Sequence, residues 1–69
     1  MSHNLQEPMQ GREVIIELFP VGQFMKVSAL DTKTLTEVSI QGPVTASEDI
    51  LKRNALKRLE YVMKKKGLL

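Results

Sequence analysis

The residues of this chain that could do chemistry are few and poorly matched. His3 is the only histidine and cysteine is absent. A serine–histidine–aspartate set would have to be built on His3, and there is no thiolate to hold a metal. His3 stands among polar residues near the start of the chain, with no orienting group beside it. The carboxylates Glu13, Glu17 and Glu37 alternate with apolar residues in strand-like segments. To act as an acid–base pair they would need a cleft that drives their pKa values apart. Alternation instead sets them on an open sheet face as solvated side chains. Gly22 and Gly42 are isolated, and neither leads a glycine run into a helix with a following lysine, as a phosphate-cradling loop requires. The catalytic, cofactor and metal assignments are therefore none, and the chain is expected not to be an enzyme.

The basic residues form the other constellation. Net charge is +2, and seven of the ten lysines and arginines lie between Lys52 and Lys66. Arg53, Lys57, Arg58, Lys64 and Lys65 share the exposed side of one helical pattern. Such a face can hold backbone phosphate or an acidic partner without sequence specificity. No aromatic interleaving supports base stacking. Three strands and a helix is also the plan of small DNA-binding modules that read a groove with the sheet. Here Glu13, Glu17 and Glu37 against a single Lys26 would repel phosphate from that face. The helix also opens on Glu48 and Asp49, not on the lysines of a double-stranded RNA-binding domain.

The elements that position these groups are legible from periodicity. Residues 13–19, 23–30 and 35–41 are rich in β-branched and aromatic residues and alternate apolar with polar, which reads as strands. Pro20-Val21-Gly22-Gln23 breaks the first from the second, with Gly22 suited to the third position of a type II turn. That turn pairs Phe19 with Phe24 and Glu17 with Lys26 on one face, and Leu18 with Met25, Ile16 with Val27 and Val14 with Ala29 on the other. A polar loop, Asp31-Thr32-Lys33-Thr34, pairs Leu30 with Leu35, Val27 with Val38 and Met25 with Ile40. The two hairpins agree on the core face of the middle strand. A slip of one residue would flip a whole strand, so the pattern selects the face. Gly42-Pro43 closes the sheet.

A helix is expected over residues 46–66. Thr45 as N-cap with Glu48 three positions on matches a capping box. At 100° per residue Leu51, Ala55, Leu56, Leu59, Val62 and Met63 fall within a stripe about 140° wide, the width of a helix seated on a core. Lys64, Lys65 and Lys66 complement the negative end of the dipole. Gly67 fits the C′ position, with Leu68 against Met63 as in a Schellman motif. Tyr61 falls off the stripe, as a half-buried boundary residue. The fold class is therefore α+β: a three-stranded antiparallel β-meander with one C-terminal amphipathic helix packed on one face. Residues 1–11 read as a disordered N-terminal tail and residues 12–69 as the single domain.

A chain of 69 residues without disulfides has a small core, so it must pack well or associate. The registers leave Ile15, Phe19, Phe24, Leu30 and Leu35 on the sheet face away from the helix. Exposed apolar patches of this kind mark interaction surfaces. Val14-Ile15-Ile16 also offers an apolar strand edge with no lysine or proline in it. Apolar runs are too short to cross a membrane, and the first residues carry no signal-peptide pattern.

The runs Val21-Gly22-Gln23-Phe24-Met25-Lys26-Val27-Ser28-Ala29-Leu30-Asp31, Thr36-Glu37-Val38-Ser39-Ile40-Gln41-Gly42-Pro43 and Ala55-Leu56-Lys57-Arg58-Leu59-Glu60-Tyr61-Val62 resemble a family of short proteobacterial proteins forming a domain of unknown function. The resemblance spans about fifty residues. It implies a cytoplasmic bacterial protein on a β-β-β-α plan and carries over neither activity nor site residues. The expectation is a non-enzymatic protein-interaction module, binding a second copy or another protein through Ile15, Phe19, Phe24, Leu30 and Leu35 or the adjoining edge. The alternative is weak nucleic-acid or acidic-partner binding through Arg53, Lys57, Arg58, Lys64 and Lys65.

Overall fold

A computed structural model describes residues 11–69. The disordered tail expected over residues 1–11 falls almost wholly on residues 1–10, outside the described residues. Three strands, β1 (Val14–Val21), β2 (Phe24–Asp31) and β3 (Thr36–Pro43), form one antiparallel sheet in the order β1-β2-β3, followed by helix α1 (Glu48–Lys65). This is the α+β meander-plus-helix plan expected from the periodicity.

Alternation places Leu18, Val27 and Ile40 in one cross-strand row of the helix-facing side, with Ile16, Ala29 and Val38 in the next. Val27 and Ala29 of the central strand are fully buried under Leu51, Ala55, Leu59 and Met63 of α1. The helix lies over β2 and β3. Val14, Ile16 and Leu18 of β1 consequently border the core and stay only partly buried.

The register differs from the expected one by two residues in both hairpins. Leu18 pairs with Val27, not Met25, and Val27 pairs with Ile40, not Val38. A shift of two keeps every side chain on its face, so hydrophobic alternation cannot separate the two alignments. Turn chemistry decides. The first hairpin closes through the two-residue loop Gly22-Gln23 between Val21 and Phe24. Gly22 has φ +61° and Gln23 does not share a positive φ, the type II′ pattern whose twist matches the flanking strands. The type II turn with Gly22 third is therefore not formed.

Pro20 lies within β1 and does not end it. In the hairpin it pairs with Met25, next to the closing pair Val21–Phe24. Hydrogen-bonded pairs alternate along an antiparallel ladder, so the nitrogen of Pro20 points to the open edge, where proline is tolerated. The second loop runs from Thr32 to Leu35 between Asp31 and Thr36, closed by Leu35 N–H donating to the Asp31 carbonyl at 2.8 Å. Gly42 and Pro43 belong to β3. A Cβ on Gly42 would meet Leu51 Cδ2 at 2.5 Å, so glycine lets the first turn of α1 close onto the strand.

The helix begins later than expected. Ser47, not Thr45, is the N-cap, its hydroxyl accepting from Ile50 N–H at 3.5 Å. The Ala46 N–H bonds back to Pro43 at 3.0 Å, which holds Thr45 inside a turn and leaves Glu48 as a first-turn residue without the capping-box geometry. The C-terminus follows expectation. Gly67 is in the left-handed region, its N–H reaches Lys64 at 3.0 Å, and Leu68 N–H reaches the Met63 carbonyl at 2.8 Å, the paired bonds of a Schellman motif. No helix among the described residues is long and apolar enough to cross a membrane.

Candidate interaction surface

The helix-free face is organised by the observed rows. From one end they read Ile15–Leu30–Glu37, Glu17–Ser28–Ser39, Phe19–Lys26–Gln41 and Val21–Phe24–Pro43. The five apolar residues expected to form one patch are therefore divided by a polar row. Phe19, at 45% exposure, and Phe24, at 54%, are diagonal neighbours and not directly opposed. Val21, at 53%, joins them. The sequence pattern sets Val21 at the turn centre, whereas it ends β1 and belongs to this surface; the Gly-X signal of a two-residue loop at Gly22-Gln23 is the feature that places it in the strand. At the other end Ile15 is exposed and pairs with Leu30, which is only partly exposed. Leu35 stands outside both groups, at the tip of the second loop and largely in solvent.

Between the apolar groups lies an open depression bordered by Glu17, Lys26, Ser28, Glu37 and Ser39, with Phe19 at its edge. Ser28 is buried there because it occupies the centre of the central strand. Lys26 pairs with Phe19 and not with Glu17 as the expected register had it. Among the described residues no group of histidine, cysteine, aspartate or glutamate side chains converges to hold a metal ion.

The edge of β1 is the second feature. The pair Val21–Phe24 closes the hairpin, and the Thr32 N–H donates to the Glu13 carbonyl at 3.2 Å. Both fix the odd-numbered residues of β1 as those bonded to β2. Val14, Ile16 and Leu18 therefore point their backbone N–H and C=O groups away from the sheet. Apolar side chains border this edge on both faces.

A polar cluster at one end of the sheet escaped sequence reading. Asp31 is fully buried on the helix-facing side, in the row of Val14 and Thr36. Its Oδ2 accepts from Thr34 N–H at 2.9 Å, Thr34 Oγ1 at 2.7 Å and Arg12 Nη1 at 3.3 Å. Thr34 Oγ1 lies 2.8 Å from Thr36 Oγ1, and Arg12 Nη2 donates to the Leu68 carbonyl at 3.1 Å. Oδ1 of Asp31 has no hydrogen-bond partner among the described residues. Burial raises the Asp31 pKa, but the Thr34 hydrogen bonds and the Arg12 charge outweigh it and hold the carboxyl below its ordinary value. The local signal was the Asp31-to-Thr34 spacing of a side-chain-capped turn; Arg12 and Leu68 are too distant in sequence to give one.

On α1, Arg53, Lys57, Arg58, Lys64 and Lys65 are all exposed, as the helical pattern required. Lys64 is committed to Glu60 at 3.0 Å. Tyr61 is exposed, not a half-buried boundary residue, and sits under Arg58 at 5.4 Å and Lys65 at 5.7 Å from its ring centre, within cation–π range.

Residues 11–66 match a family described as a domain of unknown function, DUF6898. The chain belongs to this family. No curated protein and no solved structure matches it. The DUF6898 match runs from the residue before Arg12 to the residue after α1, and so takes in all three strands, the helix and Arg12, Asp31, Thr34 and Thr36 of the polar cluster, but not Leu68.

Proposed function

We propose that this DUF6898 chain is a non-enzymatic protein-interaction module that works through its helix-free sheet face. The observation that carries the reading is the group of Phe19, Val21 and Phe24, about half exposed at one end of the face and set off from Ile15 and Leu30 by a polar row. Large apolar side chains clustered in solvent carry a free-energy cost that a covering partner removes. The polar row of Glu17, Ser28 and Ser39 beside them resembles the rim of a reversible interface. The resemblance to short proteobacterial proteins favours a bacterial, cytoplasmic setting for that contact.

The double variant Phe19→Ser/Phe24→Ser tests it. Because both rings lie outside the core, the variant is expected to keep its fold and most of its thermal stability while binding less of an apolar dye such as anilinonaphthalene sulfonate. A large fall in melting temperature, or unchanged dye binding, would overturn the assignment of this face.

A second reading rests on Arg58, Tyr61 and Lys65, where an exposed ring lies under two cations. With Arg53 and Lys57 they present positive charge to an anionic partner. Salt separates the readings. Binding of a nucleic acid to the helix should weaken steeply with ionic strength, whereas burial of the phenylalanines should be nearly indifferent to it.

A further inference from the structure

We propose that β1 pairs with β1 of a second copy across a two-fold axis at Ile16, joining two meanders into one continuous six-stranded sheet. The inference deepens the interaction-module reading by naming the partner and the contact, but it uses the edge and not the phenylalanine face.

Among the described residues the outer edge of β1 has no strand beside it. Val14, Ile16 and Leu18 direct their N–H and C=O groups outward along β1, in a strand without lysine. An open edge of this kind templates another strand. Proteins blunt such edges with proline or bulges; here Pro20 removes a donor at one end only, leaving the stretch from Val14 to Leu18 open.

The helix geometry supports the same occupant. Among the described residues α1 packs chiefly on β2 and β3, which leaves the outer edge of β1 at the margin of the helix. Val14, Ile16 and Leu18 are left partly exposed there. A strand laid against β1 would cover these side chains along their free flank. A second copy of β1 brings the same three apolar side chains, related by the two-fold, so the contact is self-complementary.

Charge, strand overlap and Pro20 then select the register. Outward-pointing groups must face one another, which restricts the axis to a residue position. An axis at Glu17 sets the two Glu17 carboxylates directly opposite. An axis at Ile15 sets Glu13 against the partner's Glu17. Like charges in these positions destabilise a sheet. An axis at Ile16 opposes Ile16 to the partner's Ile16 and Val14 to the partner's Leu18 on the helix side. On the other side it opposes Ile15 to the partner's Glu17 and Glu13 to the partner's Phe19. No like charges stand directly opposite. Axes at Val14 and Leu18 avoid them too, but the first overlaps the strands only at Val14 and the second sets Pro20, which has no N–H, against the partner's Ile16. The two helices fall on the same side of the joined sheet, each over its own β2 and β3.

The chain has no cysteine of its own, which allows a direct test on the full chain. Ile15→Cys and Glu17→Cys are single variants at exposed positions, each checked for fold by circular dichroism. In the proposed register these residues oppose one another in a non-hydrogen-bonded pair, about 4.5 Å apart at Cα, inside the range that a disulfide spans. The expected result is a dimer by light scattering across a concentration series. An equilibrated mixture of the two reduced variants should oxidise mainly to the mixed disulfide, several-fold over either symmetric one. A monomer at all concentrations would overturn the pairing and leave the phenylalanine face as a site for a different protein. A dimer showing no preference for the mixed disulfide would also overturn it. If that dimer is lost in Phe24→Ser, which lies outside the β1 seam, the association belongs to the sheet face. If the dimer survives Phe24→Ser and the mixed disulfide dominates, the edge pairing holds whatever the phenylalanines bind.

Discussion

Arg12 Nη1 lies 3.3 Å from Asp31 Oδ2, so the residue leading into β1 is tied to the last residue of β2. The same guanidinium reaches the Leu68 carbonyl, beyond the end of α1. One side chain thus joins the first strand, the second hairpin and the C-terminal cap. The Asp31 side chain is wholly inaccessible to water, and its Oδ2 gathers the donors of Thr34 and Arg12. Removing it strands those donors. Asp31→Ala is expected to cost about 2–3 kcal/mol, the range for hydrogen bonds to a buried charge. That is a large fraction of the ~5 kcal/mol typical of a small domain. Urea unfolding of the two proteins measures the difference, and a loss near zero would show that the cluster contributes nothing to folding.

The same carboxylate gives the fold an acid limit. Its folded pKa lies below the ordinary 3.8 because the Thr34 hydrogen bonds and Arg12 outweigh burial. A depressed folded pKa means that the unfolded chain takes up the proton first. The stabilisation is therefore complete above 3.8 and is lost as pH falls through the lower folded value. The stability gap between the native chain and Asp31→Asn should be constant near neutrality and shrink below about pH 4. Thermal melts at successive pH values read this directly; a gap that widened in acid would reverse the sign of the argument.

What the sequence discloses about this fold follows from which errors its pattern can detect. Alternation in β1, β2 and β3 has period two, so it sets the residues that are strand in both the pattern and the structure on their correct faces, while Val21 and Asp31 read as turn and Leu35 reads as strand. It could not detect a displacement of two, and both hairpins are displaced by that amount. Discrimination lay in the loops: the positive φ available at Gly22, and the Asp31 carboxylate able to cap Thr34. The helix stripe and the Gly67 cap were readable because each depends on residues within a few positions. Thr45 misled because its capping-box spacing to Glu48 is real, but Pro43 commits the intervening residues to a turn. The contiguity of the apolar surface was overestimated for the same reason as the register, since Phe19 and Phe24 face each other only in the displaced alignment. Arg12 joins residues too far apart in the chain for local pattern to show.

Gly42 and Leu51 should behave as a coupled pair. A Cβ at Gly42 would stand 2.5 Å from Leu51 Cδ2, and Leu51 is buried in the core. Overpacking of this size typically costs about 1–3 kcal/mol. Gly42→Ala is expected to lose stability in that range, and Leu51→Val alone to lose about 1 kcal/mol through a small cavity. Trimming Leu51 opens the space that the new methyl needs, so the double variant should lose less than the sum. Strict additivity in that cycle would mean that α1 shifts as a body and does not meet the methyl group at Leu51.

Leu35 is the one non-glycine residue with positive φ among the described residues, at +61°. A left-handed conformation costs an L-residue roughly 1–2 kcal/mol through its Cβ, and a side chain 73% exposed returns little packing in exchange. Leu35→Gly removes the clash at the cost of extra freedom in the unfolded chain, so a net gain of about 0.5–1 kcal/mol is expected. Leu35→Asn should gain less, because asparagine tolerates this region without abolishing the penalty. The loop carries the strain because Thr34 and the Leu35 N–H are both held to Asp31, on the side chain and the carbonyl respectively, which fixes the turn before the conformation of Leu35 is chosen. The gain should therefore disappear in an Asp31→Ala background, where the turn is free to relax. Equal stabilisation by Leu35→Gly with and without Asp31 would separate the strain from the carboxylate cluster.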